Sequence, residues 1–157
     1  MLKWLLPVVL IAAVVAGLSG REPASTPPKP APEQRNESEE TRLERRENGH
    51  FYAEAVIDGE AVLMLVDTGA SSVALTVEDA ERVGVDFAEE DFQPIGTGAS
   101  GPVRGVRTTL DAIEVDGKEV ADVEAAVIEG LEVSLLGQSY LSRLEAVSMS
   151  GDTMLLR

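Results

Sequence analysis

The chain has 157 residues, no cysteine, one histidine and a formal net charge of −15 at pH 7. The lack of cysteine excludes disulfides, thiolate zinc sites and thiol catalysis, and a serine–histidine triad would have to use His50. Residues 48–157 contain six basic and 21 acidic residues, a net charge of −15 that would repel nucleic acid phosphates, so no nucleic-acid binding is expected.

The first segment, residues 1–20, contains 17 uncharged and mostly aliphatic residues from Trp4 to Gly20. A helix of this length spans about 25 Å, near the lower limit for crossing a bilayer. We interpret it as a single-pass anchor in the cell inner membrane, with a cleaved signal peptide as the alternative because its last residues are small. Lys3 precedes the run and favours a periplasmic or other extracytoplasmic location for the remaining chain.

The second segment, residues 21–47, contains five prolines and 13 charged residues. Such a composition buries too little apolar surface to offset the entropy lost on ordering. We therefore predict a Pro-rich charged linker, which is compatible with a solvated helix around Glu37–Glu47.

The third segment, residues 48–157, has short β-like runs separated by turn signals. Asp58-Gly59 and Asp116-Gly117 each lie between two such runs and predict two hairpins. Thr76 predicts the N-cap of a short helix that ends near Gly84. Many short strands with one or two short helices are typical of a small all-β barrel or sandwich.

The apolar pattern also predicts the remaining elements of this domain. Residues 122–127 alternate as in a half-buried strand, with Asp122, Glu124 and Ala126 on the exposed face. Ser139–Leu144 predicts one or two helical turns. The closing strands are expected to carry Phe51, Val147, Met149 and Leu155.

The segment Leu63–Ser72 differs from the other runs because an apolar strand leads directly into Asp67. A carboxylate at the end of a buried strand requires hydrogen bonds or a shared proton. Gly69 would let a backbone N–H approach that carboxylate, and Thr68 adds a hydroxyl that can lock the loop. Taken alone, Asp-Thr-Gly is also compatible with a simple strand-ending turn.

The order of these motifs from Gly49 to Arg157 resembles that of the retropepsin-like aspartic proteases. The apolar run into Asp67-Thr68-Gly69-Ala70 is followed by a glycine-rich hairpin tip, Gly96–Gly101, and then by the long hairpin. Leu135-Leu136-Gly137-Gln138 comes last, before a short helix. The resemblance implies a small closed β-barrel of the acid protease kind, and the N-terminal segments resemble those of bacterial envelope members.

The resemblance also implies roles for single residues. Asp67 would activate the attacking water, Thr68 would bond to the partner's loop across a two-fold axis, and the Gly69 amide would orient the carboxylate. Ala70 stands where pepsin-like enzymes have Ser or Thr. Leu136 and Gly137 would support the loop. The substrate-covering flap would consist of Gly96, Thr97, Gly98, Ala99, Ser100 and Gly101; it lacks an aromatic residue, so Ser100 or Arg104 would have to serve there.

The implied function is that of an aspartic endopeptidase acting on peptide or protein substrates. The two carboxylates of such a site share one proton and activate water directly, so no metal or other cofactor is expected. Because Asp152-Thr153 lacks the following glycine, Asp67 is the one qualifying aspartate, and a homodimer is expected. The alternatives are a noncatalytic binding or assembly domain of the cell envelope on the same fold, or an anchored scaffold.

Overall fold

Two β-sheets organise the part of the chain that this computed structural model describes, residues 40–98 and 101–157. The strands are β1 (Thr41–Glu44), β2 (Tyr52–Ile57), β3 (Glu60–Val66), β4 (Val73–Leu75), β5 (Gln93–Gly98), β6 (Gly101–Val115), β7 (Lys118–Ile128), β8 (Leu135–Leu136), β9 (Val147–Ser150) and β10 (Thr153–Leu156). The helices are α1 (Val77–Arg82) and α2 (Gln138–Leu141), and Glu89–Asp91 form a short 3-10 turn.

The larger sheet has seven strands in the order β2-β3-β8-β4-β7-β6-β5. The pairs β3–β8 and β4–β7 are parallel, and the remaining neighbours are antiparallel. An additional pairing of Val56 in β2 with Glu114 in β6 closes the sheet partly into a ring. The predicted all-β class is confirmed. In place of a fully closed barrel, the sheet is partly closed through this one residue pair.

The two hairpins form at the predicted Asp-Gly turns. Asp58 and Gly59 have φ angles of 49° and 81°, and Asp116 and Gly117 have 50° and 78°. Two successive positive φ angles match the twist of the flanking strands, and aspartate and glycine tolerate this conformation well. These turns set the register of β2 with β3 and of β6 with β7.

The predicted helix is also present. The Thr76 side chain accepts a hydrogen bond from the Asp79 N–H at 3.0 Å and caps α1, and Gly84 follows the helix with a φ of +76°. The predicted turn after Gly137 is α2, whose Tyr140 is fully buried and donates its hydroxyl hydrogen to the Lys118 carbonyl at 2.8 Å. Both helices therefore pack their apolar side chains against the seven-stranded sheet.

One predicted exposed position is buried. Ala126 is 4% exposed because it lies in the middle of the sheet, paired with Ala74 in β4 and Arg107 in β6. Asp122 and Glu124 are exposed as predicted. The alternation rule fails here because Ala125, Ala126 and Val127 are all buried, and Ala126 lies at the floor of a groove.

The smaller sheet corrects the predicted linker. Residues 41–44, expected to belong to the linker and to be compatible with a helix, form strand β1 and pair antiparallel with β10, which in turn pairs with β9. Leu43 packs against the core, and the Arg157 guanidinium bonds the Glu40 carboxylate at 2.6 Å. Long-range partners thus order a charged segment that has little apolar surface of its own. The ordered domain begins before residue 48.

Within residues 40–98 and 101–157, no helix is long and apolar enough to cross a membrane. The predicted anchor or signal, residues 1–20, and the linker up to residue 39 lie outside the described residues. Ala99 and Ser100 of the predicted flap also lie outside them.

Candidate active site

Asp67 is placed by the parallel pairing of β3 with β8. Leu65 pairs with Leu135 and Val66 pairs with Leu136, and the Asp67 N–H then donates to the Leu136 carbonyl at 3.1 Å. Val66 and Leu136 are buried, whereas Asp67 is half-buried. The apolar strand therefore ends at a carboxylate that lies on the surface of an open groove. In the single chain this carboxylate is not buried.

The carboxylate is oriented by its own loop. The Gly69 N–H donates to Oδ1 of Asp67 at 2.8 Å, and the Ala70 N–H approaches the Asp67 carbonyl at 3.3 Å. A side chain at position 69 would place its Cβ 3.2 Å from that carboxylate oxygen, so glycine allows the close approach of the amide. This is the contact that the sequence predicted for Gly69.

The segment after β8 supports the loop from behind. The Gln138 N–H donates to the Ala70 carbonyl at 2.8 Å, and the Gln138 side-chain amide donates to the Thr68 carbonyl at 2.8 Å. A Cβ at position 137 would lie 2.6 Å from the carbonyl carbon of Ser72 and closer still to its oxygen. Only glycine fits at 137. The structure places Leu136 and Gly137 against the loop, as predicted, and adds Gln138.

Thr68 is exposed on the surface of the chain. Its carbonyl accepts a hydrogen bond from the side-chain amide of Gln138. The predicted contact of Thr68 across a two-fold axis requires a second copy, so it stays a prediction.

A groove of about 1010 Å³ brings the loop and the predicted flap together. Asp67, Gly69 and Ala70 line one side of it. The β5–β6 hairpin lines the other side with Gly96, Thr97, Gly98 and Gly101. The described residues of the glycine-rich segment therefore belong to a β-hairpin that lines the same groove as Asp67.

Arg104 lines the groove but does not lie at the hairpin tip. It pairs with Pro94 below the hairpin tip, and its guanidinium bonds the Glu129 carboxylate at 2.8 Å and the Phe92 carbonyl at 2.8 Å. These contacts hold Arg104 at the base of the hairpin, so it does not replace an aromatic residue at the tip. Ser100, the other predicted substitute, lies outside the described residues.

Sequence reasoning missed two further residues of the groove region. Gly105 in β6 is buried, and a Cβ there would lie 2.5 Å from the Val127 carbonyl oxygen and 2.8 Å from the Ile95 side chain. A glycine inside a long strand can signal such a close approach, and this signal was available in the sequence. Arg107 lines the groove, but nothing local in the sequence marks it.

Within the described ranges, no group of three or more His, Asp or Glu side chains is arranged to hold a metal ion. His50 is exposed ahead of β2. The groove contains the Asp67 carboxylate, oriented by the Gly69 amide, together with the charged side chains of Arg104, Arg107 and Glu129.

Comparison with protein families matches residues 53–143 to the family described as gag-polyprotein putative aspartyl protease. A protein from the cobV 5′ region of Sinorhizobium sp is 40% identical over 121 residues, which cover 76% of this chain and 52% of that protein. A protein of Rickettsia prowazekii (strain Madrid E) is 31% identical over 115 residues, which cover 73% of this chain and 49% of that protein. The chain spans about half the length of the curated relatives it matches.

Solved structures show the same fold. A retropepsin-like aspartic protease from Rickettsia conorii matches with a TM-score of 0.64 and 33% identity, covering 74% of this chain and 89% of that one. An EIAV protease complexed with an inhibitor matches with a TM-score of 0.52 and 23% identity, covering 63% and 91%. The described chain therefore has a retropepsin-like fold.

Proposed function

The chain belongs to the gag-polyprotein aspartyl protease family, and on that premise we propose that it is an aspartic endopeptidase with Asp67 as its catalytic carboxylate. A second copy of the chain supplies the facing carboxylate. The observation that carries this proposal is the Asp67 carboxylate, which is oriented by the Gly69 amide at 2.8 Å in a groove shared with a glycine-rich hairpin tip.

The need for a second copy follows from the chemistry. In aspartic proteases two carboxylates lie about 3 Å apart and share one proton, because the repulsion between two negative charges at that distance opposes ionisation of both. Asp67 is the one aspartate of the sequence that is followed by Thr-Gly. The Asp152-Thr153 pair lacks that glycine; Asp152 lies in the exposed turn between β9 and β10, and Thr153 begins β10. A two-fold axis beside Asp67 would pair it with its own copy.

The proposed mechanism uses the two carboxylates in different protonation states. The ionised one accepts a proton from water as the water attacks the peptide carbonyl, and the protonated one donates to the carbonyl oxygen. The Gly69 amide keeps one Asp67 oxygen in place, so the other oxygen can face the water. The hairpin tip, whose glycines add little bulk, would cover the substrate.

We further propose that the domain is held at a membrane by residues 1–20. The acidic surface of the domain opposes association of two copies, and tethering both copies to one membrane would raise their effective concentration. The extracytoplasmic location is a proposal from the same segment.

Asp67→Asn tests the catalytic assignment. We expect the variant of the full chain to keep its circular dichroism spectrum and to lose all measurable hydrolysis of an unfolded protein substrate, because an amide cannot accept the proton. Asp111→Asn is the matched control, since Asp111 is exposed on β6 and does not line the groove. Activity of Asp67→Asn above the background of a clean preparation would overturn the assignment and favour a binding domain.

Mixing the two chains tests the shared site. With a threefold excess of Asp67→Asn over wild type, random pairing leaves about a quarter of the wild-type chains in active dimers. The activity per wild-type chain should fall to about that fraction at concentrations where the wild type is dimeric. An unchanged activity per wild-type chain would show that each copy works alone.

A further inference from the structure

The groove contains one positive charge without a carboxylate partner among the described residues. Those residues include nine basic and 24 acidic side chains, and of the basic ones only Arg104 and Arg107 line the groove. Glu129 pairs with Arg104. Arg107 donates one hydrogen bond, to the Ile95 carbonyl at 2.8 Å, and has no salt bridge within residues 40–98 and 101–157.

The strand register places Arg107 at the end of a row of small and aliphatic side chains. Arg107 pairs with Ala126, Ala126 pairs with Ala74, and Ala74 pairs with Leu135. Directly paired residues present their side chains on the same face of a sheet, and all four line the groove. Ala74 and Ala126 are 8% and 4% exposed, and their small side chains line the groove beside Arg107.

We propose that this row is a subsite for an acidic side chain of the substrate, with Arg107 as the residue that determines the specificity. The methylene groups of a glutamate or aspartate would lie on Ala126 and Ala74, and its carboxylate would accept charge-assisted hydrogen bonds from the guanidinium. The inference rests on the proposed function, because it names the substrate class of the same groove.

The other charges of the groove do not cancel this preference. Glu129 is engaged by Arg104, and the Asp67 carboxylate is held by its own loop. The acidic surface of the domain disfavours acidic peptides at long range, but that repulsion is screened by salt, whereas a contact inside the groove is screened less. A glutamate should therefore be preferred over a glutamine at one substrate position by about tenfold in kcat/KM.

The test uses the full chain and peptide pairs that differ only by Glu or Gln, moved one position at a time on both sides of the cleaved bond. We expect one position with a Glu/Gln ratio of about ten in the wild type and about one in Arg107→Gln. Arg107→Glu should reverse the preference and favour Lys at that position. Arg42→Gln, which removes an equal charge outside the groove, should keep the wild-type ratio. A wild-type ratio near one at every position, or an unchanged ratio in Arg107→Gln, overturns the proposal.

A binding measurement separates this inference from the proposed function. Asp67→Asn, with and without Arg107→Gln, is titrated against the same fluorescent peptide pairs, and the anisotropy gives the affinity without hydrolysis. If the wild type cleaves no peptide but Asp67→Asn binds the Glu peptide about tenfold more tightly in an Arg107-dependent way, the subsite stands and the endopeptidase assignment fails. Equal binding of both peptides refutes the subsite whatever the catalytic result.

Discussion

The two sheets of this domain are specified in different ways. The seven-stranded sheet holds the Asp67 loop and the groove, and much of it is built from hairpins between strands that are neighbours in sequence. The three-stranded sheet joins the two ends of the described chain, and its Glu40–Arg157 ion pair links residues 117 positions apart. Local turn and strand signals therefore indicate the first sheet, whereas the second depends on partners that are distant in sequence.

Arg45 connects the two regions. Its guanidinium bonds Asp152 at 3.2 Å and the Gly49 carbonyl at 2.8 Å, and it lies 4.5 Å from the ring centre of Phe51. Phe51 is buried immediately before β2 and belongs to the main core. A cation over an aromatic face contributes about 0.5–1 kcal/mol where it is exposed. The small sheet is thus joined to the larger one by a polar side chain that composition alone would assign to a linker.

The largest loss of stability is expected at Gly137, where the seven-stranded sheet leaves no space for a side chain. Gly137→Ala would drive a Cβ into the backbone of Ser72, which cannot move aside as a side chain can. We expect the free energy of unfolding to fall by at least about 3 kcal/mol and the Asp67 loop to shift, with loss of activity. Chemical denaturation of the full chain measures the first effect, and peptide hydrolysis measures the second.

Gly96→Ala is the matched control for stability, because its Cβ would meet no atom within 4 Å and its φ angle is not in the positive region. It should change the free energy of unfolding by less than about 1 kcal/mol. Equal stability of the two variants would mean that β8 and the loop adjust freely, and the distinction between the two regions would then weaken.

The second largest loss of stability is expected on removal of β1. A chain that begins at residue 48 loses the pairing of β1 with β10, the packing of Leu43 and the contacts of Arg45. We expect it to be less stable than a chain that begins at residue 40 by about 2–3 kcal/mol, from lost apolar burial and hydrogen bonds. Thermal and chemical unfolding of both chains give the comparison. If the two chains are equally stable, β1 does not contribute to the stability of the domain, and the predicted domain boundary at residue 48 holds.

The same contrast between local signals and distant contacts separates the site residues that the sequence predicted from those that it did not. Asp67, Gly69 and Gly137 could be found because short motifs encode tight turns and close backbone approaches. Arg107 could not, because its position beside Ala126 and Ala74 depends on a register among three strands. The alternating pattern of β7 predicted an exposed Ala126, so it did not indicate that Ala126 lies in this row of the groove.

Strand β1 was missed for a related reason. Its sequence, Thr41–Glu44, has one aliphatic residue between charged and polar ones, so its local preference does not indicate a strand. Pairing with β10 satisfies its backbone groups, and Leu43 packs against the core. A sequence window of a few residues contains neither fact.

The smallest effect tests whether the well-predicted sheet also depends on a distant contact. Asp79 in α1 accepts a hydrogen bond from the hydroxyl of Ser134, a buried residue 55 positions away beside β8, and pairs with Arg82. Burial raises the pKa of Asp79, but hydrogen bonds from Ser134, Arg82 and Thr76, together with the positive charge of Arg82, lower it below its ordinary value overall.

Because the pKa of Asp79 is lower in the folded state, its ionised form contributes stability above the unfolded-state pKa, and this contribution is lost as the pH falls through the folded-state pKa. Asp79→Asn should therefore reduce the free energy of unfolding at pH 7 by about 1–2 kcal/mol and should lose less additional stability than the wild type on acidification. Urea unfolding from pH 7 to pH 3 measures both, with Asp111→Asn as the exposed control. Parallel stability curves for Asp79→Asn and the wild type would show that the Ser134 contact is incidental. In that case the seven-stranded sheet would depend on its local signals alone, and the contrast with the three-stranded sheet would become sharper.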